Sequence, residues 1–190
     1  TLATGLALGI GSMIGLMSLF VALIPRAVIA PIFIFIGFEI IHQAYKESPP
    51  AHSPAVSLSF LPVIASLVMI ILGQFLGALQ ITPDKLPPGV QHLHQTLTML
   101  SNGFILTGLL WGSMLAFLID HLAKRAALLA AVCALLTLFG MIHSVAPTGE
   151  LYLPWQVKTN AHYMLAVAYL ALAGIWLVLT GKPDQAQQHK

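Results

Sequence analysis

The sequence predicts an all-α, polytopic integral membrane protein with about six transmembrane helices, and three observations carry that expectation. Of the 190 residues, 58% are hydrophobic and only 7% charged, and the mean hydropathy is +0.90; soluble domains carry about 25% charged residues. The formal charges, 8 basic and 6 acidic, leave uninterrupted runs at 1–25, 27–38, 48–83, 86–119, 126–149 and 159–181. All but the second exceed the ~18–20 residues that cross a hydrocarbon core of ~30 Å. The runs are apolar throughout rather than alternating over ~10 residues, which selects helices over barrel strands.

The expected spans are about 2–24, 27–45, 55–80, 96–120, 126–145 and 161–180, followed by a polar tail at 181–190. The short Pro25-Arg26 link predicts that the first two form an antiparallel hairpin. The second is the least apolar because Glu39 interrupts it. Pro31 is expected near its first turn, where a missing N–H costs little, whereas Pro62 lies deep enough to kink the third span. Lys46–Pro54 and Ile81–Gln95 read as proline-rich loops, and His121–Arg125 as a short basic turn. Ala146–Asn160 carries Tyr152 and Trp155, aromatics suited to the headgroup level. Small-residue pairs at i, i+4 (Gly5/Gly9, Gly11/Gly15, Gly73/Gly77, Gly108/Gly112) predict close packing of spans 1, 3 and 4.

With six spans, Lys46, Lys124, Arg125, Lys182 and Lys190 fall on one face and Arg26, Lys85 and Lys158 on the other. That excess predicts cytoplasmic termini, in the bacterial inner membrane. A net charge of +2 with no basic cluster longer than Lys124-Arg125 excludes a nucleic-acid partner. Cys133, alone in an apolar run, reads as a small buried side chain. With no nucleophile–base–acid set, phosphate loop or zinc signature, neither catalysis nor a cofactor is expected.

The few polar groups inside the apolar runs are the candidate functional residues, because burying them is costly. Glu39, His42 and Lys46, at i, i+3 and i+7, share one helix face. A carboxylate beside an imidazole in low dielectric suits proton relay or sensing; the alternative is a helix end whose acid snorkels to water. Asp120 and Lys124 make an i, i+4 pair if their helix persists. His143 and His162, expected on the same side, invite comparison with a haem ligand pair, and His92 and His94 fall in the Ile81–Gln95 loop without a partner at metal spacing. Asn102, in Ser101-Asn102-Gly103, places an amide where the fourth stretch begins, to bond an unwound neighbour or to cap the helix.

Three passages resemble the C-terminal part of the nucleobase–cation symporter-2 family, the xanthine/uracil permeases. They are Ile24-Pro25-Arg26-Ala27-Val28-Ile29-Ala30-Pro31 continuing into Ile34-Phe35-Ile36-Gly37, the Phe60-Leu61-Pro62 helix, and Ser101-Asn102-Gly103-Phe104. The resemblance covers roughly residues 1–120. It implies a fold of two inverted seven-helix repeats with core and gate domains, and proton- or cation-coupled uptake of nucleobases or related compounds. It places the family's substrate-contacting acids before Thr1, so no substrate residue is carried over, and Glu39 falls on a gate-domain helix. Together with Thr1 in place of Met, it implies a C-terminal portion that is inactive without its N-terminal half. The expected partners are the lipid bilayer, that missing half, a small-molecule substrate of the complete protein, and a second copy in a homodimer. The alternatives are a small subunit of a larger membrane complex and a haem-binding membrane redox protein.

Overall fold

Where water cannot reach, backbone groups must bond within their own segment. The computed structural model meets that demand with helices alone among its described residues, 2–13, 15, 26–157 and 159–180. The chain divides into two units, Thr1–Glu47 and Ser48–Lys190.

The first unit holds α1 (Leu2–Met13) and α2 (Arg26–Glu47). The end of the first predicted span, and with it the turn of the predicted hairpin, lies outside the described residues. Pro31 is inside α2, more than a turn from its start, so it interrupts the ladder rather than sitting in the first turn.

The second unit opens with a 3-10 turn at Pro50–His52, then α3 (Ser53–Ser59) and α4 (Leu61–Ala78). Pro62 cannot donate to the carbonyl four residues back, and the helix steps at Phe60, as its position in the sequence predicts. A 3-10 turn at Pro83–Lys85 leads to α5 (Pro88–Ser101), α6 (Phe104–Ile119) and α7 (Ala123–Leu138); a further 3-10 turn at Pro154–Gln156 precedes α8 (Ala161–Thr180).

Three boundaries differ from expectation, each for a local reason. The Ile81–Gln95 loop ends early because Pro88, at the start of α5, supplies a preset φ where an N–H is not needed; His92 and His94 are therefore helical. The fourth predicted span is two helices, α5 and α6, bent by 76° at Asn102-Gly103. The fifth stops at Leu138 rather than 145, because Gly140 turns left-handed (φ +71°). There the Met141 N–H reaches the Leu136 carbonyl at 3.0 Å and the Gly140 N–H reaches Thr137 at 3.2 Å, closing a Schellman turn. The same closure ends α6, where His121 (φ +58°) brings the Leu122 N–H to the Phe117 carbonyl at 2.7 Å. That reversal removes the expected Asp120–Lys124 pairing. Asp120 Oδ1 instead lies 2.8 Å from His52 Nε2, tying the end of α6 to the turn before α3.

Packing follows the small residues. The buried face of α7 is Ala126, Ala127, Ala130, Cys133, Ala134 and Thr137, and α7 packs most extensively against α8, through Ala166 and Ala173. Gly108 and Gly112 let α6 approach the backbone of α3 at Ser59 and Ala55. By contrast, Gly5, Gly9, Gly73 and Gly77 meet nothing within 4 Å. A small-residue stripe permits close approach without requiring it.

Two of the described helices are long and apolar enough to cross a membrane, the stepped run Pro50–Ala78 and Ala161–Leu179. A third is added if the bent α5–α6 pair is one span.

Candidate functional site

The site is built at the break between α5 and α6. Asn102 is extended (φ −72°, ψ 122°) and Gly103 is left-handed (φ +72°), so the α-helical ladder cannot continue. A Cβ on Gly103 would collide with the Met141 carbonyl oxygen, so the step needs glycine twice, for its φ and for its space.

The carbonyls at the end of α5 have no partner within the helix and must find one outside it. The last bond of the ladder is the Asn102 N–H to the Thr98 carbonyl at 2.9 Å, so the orphans begin at Met99. Met99 lies 3.2 Å from His143 Nδ1. Asn102 completes the join: its carbonyl accepts the His143 N–H at 3.1 Å, and its Nδ2 donates to Ser144 and Ala146 carbonyls at 2.8 and 2.9 Å. The loop it grips is itself held down, with Ile142, His143 and Ser144 all buried. Ser144 Oγ donates to the Glu150 carbonyl at 2.9 Å and accepts the Ala146 N–H at 3.3 Å. His143 carries φ +54°, a left-handed conformation uncommon for a residue with a side chain.

His143 also connects the break to α8. A carbonyl only accepts, so the contact to Met99 puts a proton on Nδ1, and in the neutral imidazole Nε2 is then the acceptor. Tyr169 donates its hydroxyl proton to Nε2 at 2.7 Å, and its oxygen accepts from Trp111 Nε1 at 2.6 Å. The bonds therefore run in one direction, Trp111 to Tyr169 to His143 to Met99, from α6 through α8 back to the end of α5. Beside this chain, α5, α6 and α8 border an apolar cavity of about 700 Å³, which Met99, Trp111 and Tyr169 help to line.

Of the residues singled out in the sequence, Asn102 is at the centre of this arrangement. Glu39 and His42 belong to the other unit, exposed on α2. Glu39 Oε1 takes its hydrogen bond from Gln43 Nε2 at 3.0 Å, one turn on. Both nitrogens of His143 are engaged by protein groups, while His162 is fully buried, edge-on to Tyr152 with ring centroids 5.5 Å apart, and neither of its nitrogens has a hydrogen-bond partner. No group of three or more His, Cys, Asp or Glu side chains able to hold a metal occurs among the described residues. Cys133 is buried, as expected. Trp155 is exposed, whereas Tyr152 packs where a Cβ on Gly140 would sit.

Sequence reasoning missed the Trp111–Tyr169–His143 chain. Its members are scattered over 58 residues and meet only in the folded chain, where the long side chains of Trp111 on α6 and Tyr169 on α8 reach each other.

No family model, curated protein or solved structure matches the chain.

Proposed function

We propose that the chain is the C-terminal portion of a secondary-active permease for nucleobases or related small molecules, coupled to protons or another cation. In this reading it spans the bacterial inner membrane about six times, with both termini in the cytoplasm, and transport belongs to the complete protein that includes an N-terminal half. The observation that carries the reading is the broken helix at Asn102-Gly103, bent by 76° and hydrogen-bonded through Asn102 to the Ser144–Ala146 loop. Irregular backbone at membrane depth is tolerated where protein covers it. Secondary transporters use such discontinuous helices to place backbone groups near substrate or to let one bundle move against another. The break coincides with Ser101-Asn102-Gly103-Phe104, one of the three passages that resemble the xanthine/uracil permeases.

The test is uptake of radiolabelled xanthine, uracil and hypoxanthine by bacteria that lack their own nucleobase carriers and express the complete gene product. The expected result is accumulation of at least one of these compounds, abolished by a protonophore or by removal of the coupling cation. Protein present in the membrane fraction without accumulation of any nucleobase contradicts the proposal.

A further inference from the structure

His143 holds the loop after α7 against the α5–α6 break and at the same time bonds to α8. Its N–H donates to the Asn102 carbonyl at 3.1 Å, and its ring meets the Met99 carbonyl at 3.2 Å and the Tyr169 hydroxyl at 2.7 Å. Its φ of +54° is a backbone state that a side-chain-bearing residue keeps only while its surroundings hold it there.

The chain of bonds through this ring has one solution. Trp111 Nε1 can only donate and the Met99 carbonyl can only accept. Between those fixed ends, one neutral imidazole and one hydroxyl fill every position once. A second proton on the ring breaks the arrangement. Nε2 becomes a donor, so His143 and Trp111 both point N–H groups at the Tyr169 oxygen, and the hydroxyl proton loses the nitrogen that accepted it. The side chains that share the cavity wall with Tyr169, such as Met114, Leu165 and Leu172, are apolar.

The charge would also lack a counter-ion. α5 meets the ring through the Met99 carbonyl, and α6 through Trp111, with ring centroids 5.9 Å apart. α8 offers the Tyr169 hydroxyl, and α7 contributes the Cys133 thiol to the same core. His92 and His94, also on α5, neither bond to the ring nor stack with it, and His162 on α8 packs against Tyr152 and Tyr163 instead. Within the loop, Glu150 is exposed and engages Ser144 through its backbone carbonyl. Among the described residues, the hydrogen bonds and ring contacts of His143 thus include no carboxylate and no cation. A buried charge without a partner is costly, so the structure yields rather than accommodate it.

We propose that His143 is a proton-operated latch: the neutral ring clamps the loop and α8 to the α5–α6 break, and protonation releases the clamp. The latch is closed while the imidazole is neutral and opens as pH falls through the range in which it charges. It stands apart from the permease reading, because every group it uses lies within this chain.

The experiment is fluorine NMR of the complete gene product labelled with 5-fluorotryptophan in detergent, titrated from about pH 8 to about pH 5, the range in which histidine charges. The Trp111 resonance is assigned by its loss in Trp111→Phe. The wild-type protein is expected to show that resonance shift, or a second one replace it, as pH falls. His143→Asn, which cannot take up the proton yet tolerates a left-handed backbone, is expected to lose the response. His162→Phe, which removes the other buried histidine, is expected to keep it. Hydrogen exchange corrected for the intrinsic effect of pH is expected to show the His143 amide losing protection over the same range. A wild-type Trp111 resonance that ignores pH, a response that survives in His143→Asn or vanishes in His162→Phe, or unchanged protection of the His143 amide overturns the proposal.

Discussion

Asn102 is the residue on which the break depends most, because one side chain answers two loop carbonyls. Asn102→Ala leaves both without their amide donor, at about 1–3 kcal/mol for each group that water cannot reach. The expected outcome is a lower denaturation midpoint in detergent; an unchanged midpoint would show that water or relaxation replaces both bonds. Tyr169 and His162 make an opposed pair. Tyr169→Phe orphans both Trp111 Nε1 and His143 Nε2, and is expected to destabilise by a similar amount per group. His162→Phe removes a buried ring whose two nitrogens have no partner, so it is expected to be neutral or stabilising, because an unmet polar group no longer has to be desolvated. Thermal denaturation of the two variants side by side checks the contrast, and a larger loss for His162→Phe than for Tyr169→Phe would reverse it. Glu39 is a separate case, held by Gln43 on α2. If it handles protons in the complete permease, Glu39→Gln flattens the pH dependence of uptake; an unchanged profile returns Glu39 to the snorkelling role.

At the scale of elements, helix ends decide the architecture more than helix interiors do. Gly140→Ala puts a side chain into the left-handed region, a cost of ~1–2 kcal/mol, and drives its Cβ against the Tyr152 ring. The expected effect is loss of stability together with increased proteolysis of the loop after α7; a variant with wild-type resistance would contradict the importance assigned to this stop. Gly140 also shows what was legible in the sequence. A glycine ending a long apolar run is a readable C-cap, and it was hidden because hydropathy continued past it through Met141 and Ile142. Ile142 is apolar because it is buried in the core from a loop, not because it is helical. The Asn102-Gly103 step was legible as a place where an amide meets the membrane. Its 76° bend was not, since neither residue alone forbids a helix. The end of α6 was least legible: His121 adopts the left-handed turn that glycine usually takes, and nothing local announces it. Pro62 and the Gly108/Gly112 face, by contrast, act where the sequence places them.

For the whole molecule, the low charge content fixed the helical class before any contact was known. The same composition hides the candidate site, which is made of one asparagine, one histidine, one tyrosine and one tryptophan drawn from two helices and two connecting segments. No periodicity links those positions; the tertiary fold does, with α7 packed against both α6 and α8. The Gly108/Gly112 pair faces the backbone of α3, whereas a Cβ at Gly5, Gly9, Gly73 or Gly77 would meet nothing within 4 Å. The central claim, that this broken-helix unit serves nucleobase transport in a complete permease, is tested most directly by counterflow in proteoliposomes containing the purified full-length gene product. Vesicles preloaded with unlabelled nucleobase should show a transient accumulation of labelled nucleobase, and Asn102→Ala should lower its initial rate at equal protein density. Vesicles with correctly inserted wild-type protein that exchange no nucleobase faster than protein-free vesicles would contradict the account.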